Sequence, residues 1–306
     1  MSRSKKGQAI HGWVVLDKPQ GLTSTQALTK VKRLFNAQKA GHAGTLDPLA
    51  TGILPIALGE ATKTVSFAVD NQKSYIFSVR WGSETCTDDC EGECVHQSSD
   101  RPTEDAILSV VPQFIGQITQ VPPCYSAVKI DGKRAYHLAR TGENVELTPR
   151  TVVVNAFRLL SFVDTDTAVF EVECGKGTYV RALARDIGRV LGCYGHVLSL
   201  RRTRVGPFVE EDCWTLEELA ECQKHDTLTV SEGPLLSVTS SLKALPELLV
   251  SSSDAGKLAR GMSVLVRGAE APANKGLMYA TCQGRIVALG EITKGELHPI
   301  RVFNLN

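Results

Sequence analysis

The stretch GHAGTLDPLATG, residues 41–52, contains a single acidic side chain, the carboxylate of Asp47. Glycines occupy positions 41, 44 and 52, and Pro48 follows the aspartate directly. Glycine permits backbone conformations that other residues resist, and a proline disfavours the helical conformation at the residue before it. The pattern therefore predicts a shaped loop that presents one carboxylate. Aspartates before proline more often form turns by bonding to nearby amides, and this segment alone leaves that alternative open.

The composition is that of an ordinary globular protein with one large and one small domain. The chain has 306 residues, of which 42% are hydrophobic and 22% are charged, as is usual for soluble proteins. The formal net charge at neutral pH is +1. Positive charge that binds a nucleic acid would therefore have to be concentrated locally.

Cysteine usage and the lack of long apolar segments favour a cytoplasmic protein. The nine cysteines are an odd number in a long chain without a secretory leader, which argues against a disulfide framework. No apolar run is long enough to span a membrane, so we expect no membrane partner. Cys86, Cys90, Cys94 and His96 lack the spacing of structural zinc ligands, and no metal site is expected.

Hydrophobic periodicity predicts a mixture of helices and strands, followed by a β-rich tail. A change of composition follows Trp214, where a short acidic helix at 217–223 precedes a stretch rich in serine and threonine at 226–241. From about Leu245 short apolar runs punctuated by glycine predict a small all-β domain. The expected strands before that point are 13–16, 75–81, 152–157 and 168–174, and the expected helices are 23–35, 103–114 and 178–191.

Two segments concentrate basic residues. From residue 176 to residue 204 seven lysines and arginines accompany one acid, Asp186, and the segment 122–150 adds further positive charge. Individually, most of these side chains fit scattered, solvated charges. Together they predict a face that binds phosphate groups. The seven basic residues are Lys176, Arg181, Arg185, Arg189, Arg201, Arg202 and Arg204.

Extended to Lys63, the opening stretch closely resembles the catalytic-loop motif of the TruB family of bacterial tRNA pseudouridine-55 synthases. The match covers more than twenty positions, which makes it far more specific than a short pattern. Other segments resemble the family's remaining motifs in the same order and spacing, so that the likeness covers nearly all of residues 10–210. These segments are 16–19 with Gly21, Thr23 and Ser24, then 73–75, 175–181 and 196–202.

The resemblance implies an α+β fold, a mixed α/β architecture whose central, mostly antiparallel sheet carries flanking helices and a cleft across its middle. It implies a catalytic domain over 1–245, in which the insertion 122–150 clamps RNA. Because the charge density and glycines of this insertion leave little apolar area to bury, we expect it to be mobile without RNA. The tail from Leu248 to Asn306 is similar to PUA-type RNA-binding domains, which gives a second domain over 246–306. One departure is Cys86 at a position where the family often has aspartate, although Asp88 and Asp89 remain.

The implied activity is the isomerisation of uridine to pseudouridine at position 55 in the T-loop of tRNA. The flipped uracil leaves ribose through N1, rotates, and rejoins through C5. Because nothing is oxidised, reduced or activated, no cofactor and no metal are expected. The implied partner is the tRNA T-arm stem-loop, without a guide RNA or an obligate protein partner.

The resemblance assigns the catalysis to three residues. Asp47 supplies the nucleophilic or charge-stabilising carboxylate, and Arg181 forms an ion pair with it. Tyr75 stacks on uracil and assists removal of the C5 proton. Attack by Asp47 on C6, attack on C1′, and an elimination through a glycal all stay open. From the residues alone, Tyr75 fits a core position and Arg181 fits a surface position at the start of a helix.

Further residues are expected to bind the substrate. His42 would insert into the RNA where the target base leaves, although a lone histidine is more often structural. Tyr179 and Leu200 would form apolar walls around the freed uracil. The remaining candidate substrate-binding residues are Lys18, Pro19, Asp89, Lys129 and Arg140.

Two other functions fit parts of the sequence. An RNA-binding protein or tRNA folding chaperone would use the basic face and the C-terminal domain without Asp47. A guide-RNA-dependent enzyme of archaeal or eukaryotic type would act on ribosomal RNA inside a complex. The segment 122–150 argues against the second alternative, because it resembles the clamping insertion of the stand-alone enzymes.

Overall fold

The computed structural model of the protein describes residues 7–126, 128–130, 133–134, 147–229, 233–266 and 276–305. The segment 122–150 therefore falls largely outside the described residues, and its predicted clamping and mobility stay predictions. Arg140 lies outside the described residues, and of Lys129 only the backbone is described.

Strands dominate the described part of the chain, and helices pack around them. The strands are β1 (Gly12–Lys18), β2 (Ala40–His42), β3 (Thr51–Leu58), β4 (Lys73–Trp81), β5 (Ser83–Thr85), β6 (Cys94–Gln97), β7 (Gly116–Gln120), β8 (Lys129–Ile130), β9 (Lys133–Arg134), β10 (Arg150–Asp164), β11 (Thr167–Cys174), β12 (Gly195–Val205), β13 (Phe208–Val209), β14 (Cys213–Trp214), β15 (Glu247–Leu249), β16 (Val264–Leu265), β17 (Leu277–Cys282), β18 (Arg285–Thr293) and β19 (Glu296–Val302). The α-helices are α1 (Ser24–Leu34), α2 (Val65–Val69), α3 (Glu104–Val110), α4 (Val180–Val190), α5 (Leu216–Lys224) and α6 (Ser252–Ala259).

The central sheet has the order β14-β1-β3-β12-β4-β11-β10-β7, and β2 and β13 pair with β3 and β12 at its side. The pairs β1–β14 and β3–β12 are parallel, whereas the other pairs in the described sheet are antiparallel. The predicted α+β class and the mostly antiparallel central sheet are thereby confirmed.

Strand β1 is buried on both faces. Val14 and Leu16 belong to a large core between the sheet and helices α1 and α4, whereas Trp13 and Val15 face a second core on the other side. This explains the uninterrupted apolar run, because a strand covered on both faces shows no polar alternation. On β4 the predicted alternation holds, and Phe77 stacks on Phe170 with ring centroids 5.6 Å apart.

Several elements differ from the sequence-based expectation because long-range pairing decides them. Strand β3 begins inside the glycine-rich stretch, at Thr51, where β12 lies beside it. The predicted strand 152–157 extends over residues 150–164, since β11 pairs along most of it. The predicted helix 103–114 divides into α3 and a 3₁₀ turn at Val111–Phe114, and Pro112 starts that turn.

The C-terminal residues form a separate five-stranded sheet, β15-β17-β18-β19-β16, with helix α6 packed on it. Ile286, Leu289 and Phe303 join the second core beside β1 and β3. Lys63 Nζ donates to Val302 O at 2.8 Å, and Asn304 N donates to Glu60 at 2.8 Å. The β-rich tail is thus confirmed, while its RNA-binding role and the boundary at 245 stay predictions.

In the part of the chain that the structure describes, no helix has both the length and the apolar character needed to cross a membrane.

Candidate active site

The Asp47 loop connects β2 to β3 and is fixed at both sides of the aspartate. Ser24, at the start of α1, donates through Oγ to Leu46 O at 2.9 Å and accepts from Leu46 N at 2.8 Å. Pro48 O accepts from Gly21 N at 2.8 Å. The side chains of Leu46 and Leu49 are buried in the core. The loop therefore has one defined conformation, in which the Asp47 side chain keeps 39% of its accessible surface.

Arg181 pairs with Asp47. Its Nε lies 2.9 Å from Asp47 Oδ2, and its side chain is only 5% exposed. The same guanidinium lies 3.4 Å from Asp89 Oδ2 and donates to Thr87 O at 2.6 Å and Tyr125 O at 2.9 Å. Each nitrogen of the buried guanidinium thus has an acceptor, as burial of a charge requires.

Asp47 opens onto a cavity of about 170 Å³. Tyr75, Tyr179 and Leu200 lie in its wall, so the structure brings together five of the predicted site residues, counting Asp47 and Arg181. Tyr75 belongs to the hydrophobic core as well, so that its side chain lies both in the core and in the cavity wall. The cavity is lined by Thr45, Leu46, Asp47, Tyr75, Ser126, Thr178, Tyr179, Val180, Arg181 and Leu200.

Burial also shapes the chemistry of Tyr75. It raises the pKa of the Tyr75 hydroxyl above its usual range, while the charge of Arg202 and a hydrogen bond from that residue oppose the rise. The apolar wall of the cavity therefore favours a neutral phenol, and one specific cation favours the phenolate.

Helix α4 carries two more arginines that pair with acids, and they follow Arg181 at a spacing of four residues. Arg185 Nη1 lies 2.9 Å from Asp88 Oδ2, and Arg189 makes two contacts of 2.6 and 2.7 Å with Glu84. Residues four apart lie on the same helix face, so this face of α4 is paired with the segment 84–89. That segment in turn supplies Asp89 and Thr87 O to Arg181.

The α4 arginines also hold the beginning of the insertion. Arg185 Nη2 donates to Val121 O at 2.9 Å, beside the contact of Arg181 with Tyr125 O. The Gln120 side chain accepts from Tyr179 N at 2.8 Å and donates to Tyr179 O at 3.1 Å. The described start of the insertion is therefore attached to the residues that form the cavity.

These contacts correct the predicted phosphate-binding face between residues 176 and 204. Arg181, Arg185 and Arg202 are buried, and Arg189 pairs with Glu84. Arg201 is held by Asp17 and Glu210 at 2.9 and 2.7 Å. The dense positive charge of this segment neutralises acids from elsewhere in the same chain. Lys176, Arg189 and Arg204 are the exposed members of the predicted set, and Lys176 pairs with Asp70.

Lys18 is buried and does not reach the surface where RNA would bind. Its Nζ donates to Pro19 O at 2.9 Å and Leu22 O at 2.8 Å, and it lies 3.4 Å from Pro48 O behind the Asp47 loop. Burial lowers the pKa of this amine to about 8. The position does not support the predicted substrate-binding role of Lys18, and it indicates that the lysine braces the loop. Pro19 lies at the exposed turn after β1.

His42 occupies the end of β2, opposite Ile56 of β3, and it is half-buried. The described cavity wall does not include it. Asp89 is buried beside Arg181, and its Oδ1 accepts from Thr87 Oγ1 at 2.5 Å and Glu91 N at 3.1 Å. This position gives Asp89 contacts within the protein, where the prediction had placed it in contact with RNA.

The residues that sequence reasoning missed are Asp88, Arg185 and Arg202. A signal existed for the first two, because acids at 84 and 88 and arginines at 181, 185 and 189 share a spacing of four. Matching charges at equal spacing suggest two segments that pair. Nothing local distinguishes Arg202 from the half-buried Arg201 beside it.

Replacing Lys18 distinguishes a brace from an RNA contact. We expect Lys18→Met to lower the free energy of unfolding by about 1–3 kcal/mol, because buried carbonyls lose their donor. Affinity for RNA should stay unchanged. Urea denaturation and RNA-binding titration measure the two quantities, and Lys30→Met on the exposed face of α1 is the matched control. Normal stability combined with weak RNA binding would contradict the assignment.

Titration of Asp88 is expected to make the free energy of unfolding depend on pH. Burial raises the pKa of Asp88 to about 6, against the opposing charges of Arg185 and Arg181. This folded-state pKa exceeds that of an unfolded aspartate. The folded state therefore binds the proton more tightly, and the stability due to this group falls as pH rises through about 6.

The variant Asp88→Asn lacks this titration. Between about pH 4.5 and 7.5, the stability of the unmodified protein should fall relative to the variant by on the order of 2 kcal/mol. Denaturant melts at several pH values measure the difference. The exposed Asp105→Asn serves as the control. A stability difference that stays constant across this range would show that Asp88 does not titrate there.

Comparisons with known proteins agree with the geometry. Residues 32–180 match the family described as TruB family pseudouridylate synthase (N terminal domain), and residues 181–244 match the tRNA pseudouridylate synthase B C-terminal domain. The protein named tRNA pseudouridine synthase B of Rhodopseudomonas palustris is 58% identical over 301 residues, which cover 97% of this chain and 81% of the relative. Its namesake in Agrobacterium fabrum is 52% identical over 305 residues, which cover 98% of this chain and 97% of the relative.

Solved structures show the same fold. A structure titled as a Cbf5-Nop10-Gar1 complex aligns with a TM-score of 0.71 and 28% identity, over 96% of this chain and 84% of that one. An H/ACA RNP bound to a substrate RNA containing 2′-deoxyuridine aligns with a TM-score of 0.74 and 26% identity, over 99% and 92%. With family matches across most of its length and relatives above half identity, the chain belongs to the TruB family of pseudouridylate synthases.

Proposed function

We propose that this chain converts uridine to pseudouridine at position 55 in the T-loop of tRNA, and that it does so without a guide RNA or a protein partner. The observation that carries the proposal is the ion pair of Asp47 and Arg181 inside a cavity walled by Tyr75, Tyr179 and Leu200. The names of the relatives, tRNA pseudouridine synthase B, support tRNA as the substrate.

Asp47 and Arg181 have different roles within the ion pair. Arg181 contacts Oδ2 of Asp47, so the second carboxylate oxygen can take the reacting role. The guanidinium keeps the carboxylate oriented, and its other donors are occupied by Asp89 and two backbone carbonyls. A charge held this way needs no reorganisation when substrate enters, which is how preorganised sites lower a barrier.

The cavity walls supply the remaining functions. Tyr75 offers a ring for stacking, and its phenolate form can receive the C5 proton after the base has rotated and thereby become the phenol. Leu200 and the Tyr179 ring enclose the freed uracil and exclude water, which would otherwise capture the sugar. The base enters by flipping out of the T-loop, because Asp47 cannot reach a stacked nucleotide. Attack at C6, attack at C1′ and elimination all use the same carboxylate position.

Two observations bear on the alternative functions. A chaperone alone would not need a carboxylate held by a buried arginine at the end of a cavity. The Cbf5-Nop10-Gar1 and H/ACA RNP structures share the fold at 26–28% identity, whereas the tRNA pseudouridine synthase B relatives exceed half identity over nearly the whole chain. Both observations favour the stand-alone tRNA enzyme.

The test uses the purified chain and a synthetic T-arm stem-loop with uridine at position 55. We expect pseudouridine to form with no other component present. Asp47→Asn should lower the single-turnover rate by at least about 10³-fold while RNA affinity changes little, as for loss of a reacting group. Release of tritium from C5-labelled uridine measures the rate, and filter binding measures the affinity.

The control is Asp70→Asn, which removes an exposed carboxylate paired with Lys176. It should react at the unmodified rate. Unchanged pseudouridine formation in Asp47→Asn would overturn the role of Asp47. Binding without any reaction by the unmodified chain would favour the chaperone, and a reaction that requires added guide RNA would favour the third function.

A further inference from the structure

Arg202 on β12 is a large charged side chain that is almost completely buried, with 1% of its surface exposed. Within the described residues, no carboxylate lies within ion-pair distance of its guanidinium. Burying an arginine without an acid is costly, because the residue keeps its charge in any protein environment. Such a charge is expected to be held by specific acceptors, and these acceptors are parts of the candidate active site.

Arg202 reaches three points around Asp47. Its Nε donates to Ile53 O at 2.8 Å, and its Nη2 donates to Gly44 O at 3.0 Å. Arg202 is also the cross-strand partner of Tyr75, and its charge acts on the Tyr75 hydroxyl. One guanidinium therefore connects the start of the Asp47 loop, the strand that follows it, and the aromatic wall of the cavity.

The sheet register explains why Arg202 can reach all three. Strand β12 lies between β3 and β4, and Arg202 is paired with Gly52 on one side and with Tyr75 on the other. Side chains paired across neighbouring strands stand on the same face of a sheet. The Arg202 and Tyr75 side chains thus start side by side, below the loop that carries Asp47.

Two glycines of the opening motif lie close to residue 202, Gly44 to its guanidinium and Gly52 to its backbone. Gly44 has φ +90°, and a Cβ there would lie 3.2 Å from Arg202 Nη1. Gly52 has φ +94°, and a Cβ there would lie 2.3 Å from Arg202 O. Both positions need a left-handed backbone, and both need space for close approach to Arg202. The loop and the arginine fit each other at both ends.

We infer that Arg202 is a positioning residue for the isomerisation, which holds the Asp47 loop and the Tyr75 hydroxyl in one fixed arrangement. The inference rests on the proposed function, in which Tyr75 receives the C5 proton. A guanidinium held beside the phenol by the sheet register limits where the phenol oxygen lies. It also stabilises the phenolate, the form that accepts a proton from C5 and becomes the phenol.

The test combines replacement of Arg202 with replacement of Tyr75. We expect Arg202→Met to lower the single-turnover rate on the T-arm RNA by about 100-fold, with RNA affinity within about threefold. In a Tyr75→Phe background the same change should cost less than about fivefold, because the hydroxyl that Arg202 orients is already gone. Arg158→Met, which removes an exposed arginine paired with Glu171, should react normally.

An additive loss in the double variant would show that Arg202 only supports the fold, and an unchanged rate in Arg202→Met would also overturn the inference. Arg202→Lys provides a second variant that retains a buried cation. The ¹³Cζ resonance of Tyr75, labelled in the purified chain, should shift in Arg202→Lys and not in Arg158→Lys. A resonance at its original position would overturn the inference.

The resonance does not depend on turnover. If the unmodified chain fails to modify T-arm RNA, the proposed substrate is wrong, and the Tyr75 resonance still decides whether Arg202 sets the hydroxyl. The failure of the inference and the failure of the proposed function therefore give different results.

Discussion

The structure depends on the burial of one cation, the guanidinium of Arg181. Its side chain is 5% exposed, and Asp47 and Asp89 lie 2.9 and 3.4 Å from it. A buried charge is stable only where acceptors surround it, so the Asp47 loop, the segment 84–89 and the start of the insertion must all converge on α4. These contacts assemble the site, with Asp47 as the member of the network that faces the cavity.

This constraint also explains how the chain uses its charge. Arg185 and Arg189 repeat the pairing of Arg181 one and two helical turns later, against Asp88 and Glu84. Arginines that look in the sequence like a surface for phosphate groups serve to attach a helix to a loop. With a net charge of +1, the acidic and basic residues of the chain nearly balance. Binding of RNA is therefore expected to depend on shape and on where the exposed cations lie.

Local patterns predicted the parts of the fold and site that depend on neighbouring residues. The loop around Asp47, the strand of Tyr75 and the helix that carries Arg181 follow from glycine, alternation and helical spacing. The burial of Lys18 and Arg202 could not be predicted, because it depends on pairing between segments far apart in the chain. Arg202, for example, is buried because β12 lies between β3 and β4, where its guanidinium meets Gly44 O.

The central claim is that a flipped uridine of tRNA reacts at Asp47 in the cavity beside Tyr75. A crystal structure of the chain with T-arm RNA that carries 5-fluorouridine at position 55 tests this most directly, because the fluorine replaces the C5 hydrogen that must leave. We expect the fluorinated base in the cavity, against Tyr75 and in contact with the Asp47 carboxylate. A base that stays stacked in the T-loop, or one bound away from Asp47, would contradict it.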